Sequence, residues 1–105
     1  MESISVDELH ERTQNLGSDD LILDVRTSAE FSAGHIQGAQ NTPHEEVTNE
    51  ADGLKQYKTV YVHCKMGGRA KMAALALEGA GLNNIVCVEN GGMQRWEEMG
   101  WPLVK

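Results

Sequence analysis

Short runs of apolar residues alternate along the chain with stretches of helical spacing. The runs at 21–25, Thr59–His63 and 85–88 are continuous and bounded by polar or glycine residues, which predicts strands buried on both faces. A further short extended piece is predicted near 39–41, after a glycine-rich turn. The spacing between these runs leaves room for a helix or a turn in each connection.

Three capping patterns mark predicted helix starts: Ser5 with Glu8, Thr27 with Glu30, and Thr42-Pro43 with Glu45. The second pattern predicts a helix over Ser28–Ala33. Two further helices are predicted over 70–80 and 93–99, each followed by a glycine. Strands that alternate with helices predict an α/β fold with a mainly parallel sheet covered on both faces. In such sheets ligands bind beyond the carboxyl ends of the strands.

The composition narrows the class of protein. A chain of 105 residues has the size of one small domain, so residues 1–105 are expected to form a single domain. The formal net charge of −7 argues against binding to nucleic acid or to an anionic membrane surface. The sequence contains neither an apolar run long enough to span a membrane nor the apolar core of a signal peptide, which predicts a cytoplasmic protein.

Two cysteines, Cys64 and Cys87, lie far apart and without a CxxC pattern, so neither a disulfide framework nor a metal site is indicated. Cys87 lies within a predicted core strand and is interpreted as a packing residue. Cys64 stands at the end of a predicted strand and is followed by Lys65-Met66-Gly67-Gly68-Arg69 and then a predicted helix.

A cysteine at the end of a parallel strand, followed by a glycine-rich turn and a helix start, is typical of an anion cradle with a nucleophile at its base. The N–H groups of the turn and the helix dipole favour the thiolate, which is the reactive form. Lys65 and Arg69 add positive charge at the rim, and Met66 is expected to form an apolar wall. Gly67 and Gly68 are expected to provide positive φ angles and a close backbone approach. We therefore predict a sulfur-handling active site.

Three segments of the chain, in order and at suitable separations, resemble the rhodanese family of single-domain sulfurtransferases. The first runs from Asp24-Val25-Arg26 through Glu30-Phe31 to Gly34-His35-Ile36, Gly38-Ala39 and Asn41. The second is the loop Cys64–Arg69. The third consists of Gly91-Gly92-Met93, Trp96, Gly100 and Pro102. Together the three segments cover nearly the whole chain.

The resemblance implies a three-layer α/β/α fold with a central, mainly parallel sheet of five strands. It implies that Cys64 accepts a sulfane sulfur and becomes a persulfide, and that the backbone of Lys65–Arg69 surrounds the outer sulfur. Members that use thiosulfate often carry cationic residues in this loop, and Lys65 and Arg69 match that pattern. Ala70 departs from it, because many members have serine or threonine at this position.

The implied reaction is a double displacement. The Cys64 thiolate takes sulfur from a small anionic donor such as thiosulfate, and a thiol or cyanide then removes it. This chemistry requires no metal and no organic cofactor. Two other functions remain open: a persulfide carrier dedicated to a protein donor or acceptor, and a non-catalytic rhodanese-like binding module. Phosphatase or arsenate reductase activity ranks lower, because only four residues separate Cys64 from Arg69, whereas cysteine phosphatases have five.

Other polar residues of the three segments are interpreted as structural. Asp24, Arg26 and Glu30 are expected to form an ion-paired or capping cluster near the end of a strand. His35 is expected to hold its turn through hydrogen bonds. His63 precedes the cysteine, but because successive residues of a strand face opposite sides, its side chain is expected to point away from the cradle.

Overall fold

The computed structural model describes all residues, 1–105. Its centre is a sheet of five strands, in the spatial order β1-β5-β4-β2-β3. Every pair of neighbouring strands is parallel. The strands are β1 (Glu2–Ser5), β2 (Asp20–Asp24), β3 (Gln40–Asn41), β4 (Thr59–His63) and β5 (Ile85–Asn90). The predicted α/β class and the five-stranded parallel sheet are therefore confirmed, with β4 at the centre of the sheet.

The hydrophobic pattern did not predict β1, the strand at one edge of the sheet. Only Ile4 in this four-residue segment is buried, so the segment carries no apolar run. The segment is a strand because it pairs with β5. At its end, the Ser5 side chain accepts a hydrogen bond from the Glu8 N–H at 3.1 Å. Ser5 thus closes β1 and caps the next helix, as its capping pattern predicted.

Helices follow most of the strands: α1 (Val6–Arg12), α2 (Ser28–Ala33), α3 (Ala51–Leu54), α4 (Gly68–Gly79) and α5 (Met93–Glu98). Short 3-10 segments extend α1 over Thr13–Asn15 and precede α3 over His44–Glu50. No helix has both the length and the apolar character needed to cross a membrane.

The helix predicted to start at Thr42-Pro43 is instead a 3-10 segment. Pro43 is its N-cap rather than its first helical residue, and no side chain caps the segment. The Thr42 N–H bonds to the Asp24 carbonyl and the His44 N–H to the Val25 carbonyl. These backbone bonds continue the contact between β3 and β2, and they determine the path of the chain where the capping pattern predicted a helix start.

The core divides into two clusters, one on each face of the sheet. One cluster of 16 residues joins the sheet to α3, α4 and the preceding 3-10 segment, and it includes Cys64 and Cys87. Three alanines of α4 (Ala70, Ala73 and Ala74) are buried in it and let the helix lie close to the strands. The other cluster, of 10 residues, joins the sheet to α1 and α5. The layer arrangement brings the start of α4 against the carboxyl end of β4.

Candidate active site

Cys64 lies directly after β4, where the chain turns into α4. Its side chain is 1% exposed, and its sulfur accepts hydrogen bonds from the N–H groups of Gly67 at 3.1 Å and Ala70 at 3.3 Å. Both donors belong to the turn and the first residues of α4, so the positive end of the helix dipole faces the sulfur. This arrangement favours a negative charge on Cys64 Sγ, or on a sulfur atom attached to it.

Gly67 has a positive φ of 117° and could not carry a side chain at its position. A Cβ atom there would lie 2.0 Å from the Glu89 carbonyl oxygen of β5. The expectation of positive φ and close approach therefore applies to Gly67. Gly68 differs: its φ is not positive, it starts α4, and a Cβ atom there would meet nothing within 4 Å.

The start of α5 holds the cysteine loop from the other side. The Met93 N–H donates to the Cys64 carbonyl at 2.9 Å, and the Gln94 N–H donates to the Lys65 carbonyl at 3.1 Å. At Gly92 an added Cβ would lie 2.2 Å from the Cys64 carbonyl oxygen. The glycine pair before α5 thus lets two backbones meet, and this contact fixes the loop.

Asp24 and Arg26 form a buried ion pair beside the site. The Arg26 guanidinium donates to both carboxylate oxygens of Asp24, with distances of 2.7–3.1 Å, and it also donates to the Gly34 carbonyl at 2.8 Å. The Asn41 amide donates to the backbone carbonyls of Asp24 and Arg26, each at 3.0 Å. These bonds lock the loop after β2 to the turn after α2 and to β3.

Glu30 and Arg69 link α2 to the first turn of α4. The guanidinium donates to both carboxylate oxygens, at 2.7 and 3.0 Å. Arg69 is the main cause that lowers the pKa of Glu30 to about 2, and the same contact raises the pKa of Arg69. Glu30 also completes the predicted capping box with Thr27. The charge of Arg69 is therefore paired within the protein, whereas the sequence pattern predicted that Arg69 adds positive charge at the rim.

The side chain of His63 is fully buried on the face of the sheet opposite Cys64. Val62 and Cys64 pack in one core cluster and Tyr61 in the other, so strand alternation places His63 on the Tyr61 face. Neither ring nitrogen has a hydrogen-bond partner, and Nε2 lies 4.0 Å from Asp24 Oδ2. Burial lowers the pKa of His63, so the ring is neutral at pH 7.

His35 holds the turn after α2. Its ring stacks on Phe31 with centroids 3.7 Å apart, and Nδ1 lies 2.8 Å from the Phe31 carbonyl oxygen. Its backbone N–H and carbonyl exchange two hydrogen bonds with Val104, each 2.9 Å long. The residue thus joins the turn to the C-terminal segment and does not line the cysteine loop.

Lys65 and Met66 form the exposed rim of the loop. Met66 is 65% exposed and lines a cleft of about 260 Å³ together with Lys65 and the start of α5. Lys65 also lines a second cleft, of about 200 Å³, whose other walls include Arg26 and Glu30. Lys65 makes no ion pair, so it is the free cation nearest to Cys64 in sequence.

Cys87 shares the core cluster with Cys64 but has no polar contact that would activate it. Its side chain is completely buried, and burial is the main cause that raises the pKa of its thiol to about 11. A thiol in this state is a poor nucleophile at neutral pH.

Sequence reasoning did not identify several residues that shape the site. It gave no role to Asn41, which bridges two backbone carbonyls, or to Glu89, whose carbonyl excludes a side chain at Gly67. It also did not connect Glu30 with Arg69, because the two residues lie 39 positions apart. No local pattern reports such contacts, since they depend on how the elements pack.

Comparisons with known proteins agree with this geometry. The Rhodanese-like domain profile matches residues 5–99. YqhL of Bacillus subtilis is 33% identical over 75 residues, covering 71% of this chain and 59% of that protein. The adenylyltransferase and sulfurtransferase UBA4 of Meyerozyma guilliermondii is 30% identical over 96 residues, covering 84% of this chain and 22% of that protein.

A rhodanese-related protein from Thermoplasma volcanium of known crystal structure is 36% identical, with a TM-score of 0.82, and covers 99% of this chain and 98% of that one. By contrast, the matched part spans 59% of YqhL, 47% of the protein slr1261 of Synechocystis and 22% of UBA4. The profile, the fold and the cysteine loop lead to the same conclusion: this chain belongs to the rhodanese-like domain family.

Proposed function

We propose that this chain is a sulfurtransferase that carries a sulfane sulfur on Cys64 as a persulfide. The observation that carries the proposal is the pair of N–H groups, from Gly67 and Ala70, that donate to Cys64 Sγ at the start of α4. Such donors stabilise a thiolate before the reaction and an anionic persulfide after it, without the need for a separate general base.

The first step takes sulfur from a small anionic donor such as thiosulfate. The Cys64 thiolate attacks the outer sulfur, a new S–S bond forms, and the donor's own S–S bond breaks so that sulfite leaves with the electron pair. Lys65 is the cation available to attract the donor, because Arg69 is paired with Glu30. The turn of Lys65, Met66, Gly67 and Gly68 would surround the outer sulfur.

The second step returns Cys64 to its starting state. A thiol or cyanide attacks the outer sulfur of the persulfide, and the Cys64 thiolate leaves. Each step exchanges one nucleophile for another at sulfur, so the scheme needs neither an oxidant nor a reductant. Two separate half-reactions at one cysteine predict ping-pong kinetics.

The shared fold and the name of the relative UBA4 support sulfur transfer in general. The short loop supports it over phosphate chemistry, because four residues between Cys64 and Arg69 make a small cradle. A carrier that exchanges sulfur only with a partner protein is the second candidate, favoured by the deep burial of Cys64 beneath an exposed rim. We also propose that the protein acts in the cytoplasm and that residues 1–105 form a single domain.

The test is to incubate the purified protein with thiosulfate, measure its intact mass, and then add cyanide and measure thiocyanate. We expect a gain of one sulfur atom and repeated turnover. Cys64→Ser should abolish both, while the matched variant Cys87→Ala should keep both, because the Cys87 thiol is completely buried and burial raises its pKa to about 11. Sulfur loading that survives in Cys64→Ser would refute the assignment. Loading without turnover would favour the dedicated carrier.

A further inference from the structure

The outward face of α4 carries two large exposed apolar side chains between the charged residues Lys71 and Glu78, although the helix already buries its opposite face. Ala70, Ala73, Ala74 and Leu77 face the core, yet Met72 is 62% exposed and Leu75 is 50% exposed. With the exposed glycines Gly68 and Gly79, these residues are spaced by four, three and four positions. That spacing forms a single stripe along a helix and is typical of a seam that packs against another helix.

This stripe is continuous with the rim of the cysteine loop. Gly68 is both the first residue of α4 and part of the loop, and Met66, two residues earlier, is 65% exposed. Cys64 itself is 1% exposed, so a molecule that reaches its sulfur must approach over this rim. We refer to Met66, Gly68, Met72, Leu75 and Gly79 together as the α4 seam.

We propose that the α4 seam docks a helix of the protein that exchanges sulfur with Cys64, and that this helix has its own apolar seam flanked by carboxylates. The proposal rests on the proposed function and adds the partner class. Charge supports it: Lys65, which makes no ion pair, stands at the loop end of the seam in a chain of net charge −7, whereas Lys71 beside the seam is paired with Glu89. A carboxylate on the partner would complement Lys65.

The size of the seam fits a transient partner better than a permanent one. Stable interfaces use roughly 20 residues or more on each side, and the seam with its flanking lysines is much smaller. A second copy of this chain is a poorer match. In an antiparallel pair of α4 helices, Lys71 of one copy would face Glu78 of the other, but Lys71 already bonds Glu89 at 2.8 Å.

The transfer itself is balanced without further reactants. The partner's cysteine thiolate attacks the outer sulfur of the Cys64 persulfide, an S–S bond forms on the partner, and the bond to Cys64 Sγ breaks. Cys64 leaves as a thiolate, and the partner carries the persulfide. The reverse reaction loads Cys64 from a partner persulfide by the same exchange.

The probe is a synthetic amphipathic helical peptide with leucines at the same spacing, glutamates on the flanks and a cysteine at one end. A scrambled peptide of equal composition and glutathione are the comparison acceptors. The test variant is Met72→Ser/Leu75→Ser, which leaves the cysteine loop intact. The matched control is Met99→Ser/Leu103→Ser, which removes exposed apolar residues elsewhere. Rates are measured from protein loaded with one sulfur atom.

We expect the test variant to lower kcat/KM for the peptide by about tenfold, which corresponds to about 1.4 kcal/mol, and to leave glutathione turnover unchanged. The control variant should keep both rates. Equal losses in the two variants, or equal use of the scrambled peptide, would overturn the proposal. A dimer of the wild type that sedimentation shows to dissociate in Met72→Ser/Leu75→Ser would also overturn it, because the seam would then hold a second copy.

A separate binding measurement distinguishes failure of docking from failure of the proposed function. A peptide with serine in place of its cysteine should still bind, and it should shift the amide resonances of α4 in the ¹⁵N-labelled protein. Binding to α4 without any sulfur transfer would support the docking surface and refute the sulfurtransferase function. Sulfur transfer to glutathione with no peptide binding would support the sulfurtransferase function and refute the docking surface.

Discussion

Arg69, at the exit of the cysteine loop, donates two hydrogen bonds to the carboxylate of Glu30, 39 residues earlier in the chain. The contact ties α2 to the first turn of α4, whose N–H groups face Cys64 Sγ. It also neutralises the guanidinium that would otherwise face an anionic donor. The arginine of the loop therefore contributes first to the position of α4, and Lys65 is the free cation of the rim.

Replacing Glu30 tests this division of roles. Glu30→Gln should lower the free energy of unfolding at neutral pH by about 1 kcal/mol, as expected for a partly exposed bidentate pair. Because it frees a positive charge beside the loop, it should also lower the KM for thiosulfate. Glu46→Gln, which changes an exposed glutamate without an ion pair, is the matched control for stability and should leave both quantities unchanged.

The same pair gives a pH dependence of defined sign. The pKa of Glu30 is about 2 in the folded protein, against 4.5 for the free side chain. The stability that the pair contributes is therefore complete above pH 4.5 and is lost as the pH falls toward 2. Urea unfolding across this pH range should show that the free energy of unfolding falls more steeply in the wild type than in Glu30→Gln. Parallel curves would contradict this assignment.

Two neighbouring glycines should respond oppositely to alanine. Gly67→Ala forces a side chain into the space of the Glu89 carbonyl at a positive φ, so it should cost at least about 2 kcal/mol of stability and weaken sulfur loading at Cys64. Gly68→Ala adds a methyl group in open space at the start of α4, where alanine favours the helix by up to about 1 kcal/mol. Urea unfolding of both variants measures the contrast. A Gly67→Ala variant as stable as the wild type would mean that movement of β5 relieves the backbone clash, and equal losses in the two variants would contradict the predicted contrast.

His63 should make the protein less stable in mild acid. Burial lowers its folded-state pKa below the ordinary value of 6.5, so the unfolded chain binds a proton that the folded chain does not. Stability must then fall as the pH drops below 6.5. His63→Phe, a change of similar shape, removes that proton uptake. Unfolding at about pH 7.5 and about pH 5.5 should show a smaller difference in the variant.

His44→Gln serves as the control for this measurement, because His44 is partly exposed and lies outside the core. It should keep the wild-type difference between the two pH values. If His63→Phe keeps that difference as well, another group is responsible for the acid sensitivity.

The buried pair of Asp24 and Arg26 should show strong coupling. Asp24→Asn leaves the guanidinium buried without its counter-charge, which typically costs about 3–5 kcal/mol. Arg26→Met in the same chain removes the unpaired charge, so the double variant should be more stable than Asp24→Asn alone. Thermal or urea unfolding of the single and double variants completes the cycle. If the losses in the free energy of unfolding of the two single variants add up in the double variant, the pair is not coupled.

The sequence alone determined the α/β class, three of the parallel strands and the short helix of Ser28–Ala33, because buried strands and capping boxes leave local signals. It also singled out the cysteine loop, since the cysteine, the glycine turn and the helix start are contiguous. For the same reason, the Ser5 and Thr27 caps could be assigned from their spacing alone. Features that depend only on neighbours along the chain could be predicted from the sequence pattern.

Tertiary structure decided the features that join distant segments. β1 is a strand because β5 pairs with it, and the predicted helix start at Thr42 became a 3-10 segment because its N–H groups bond to the end of β2. The partner of Arg69 and the carbonyl that excludes a side chain at Gly67 come from elements far away in sequence. Hydrogen bonds and packing between such elements depend on three-dimensional distance, which residue spacing along a chain does not encode.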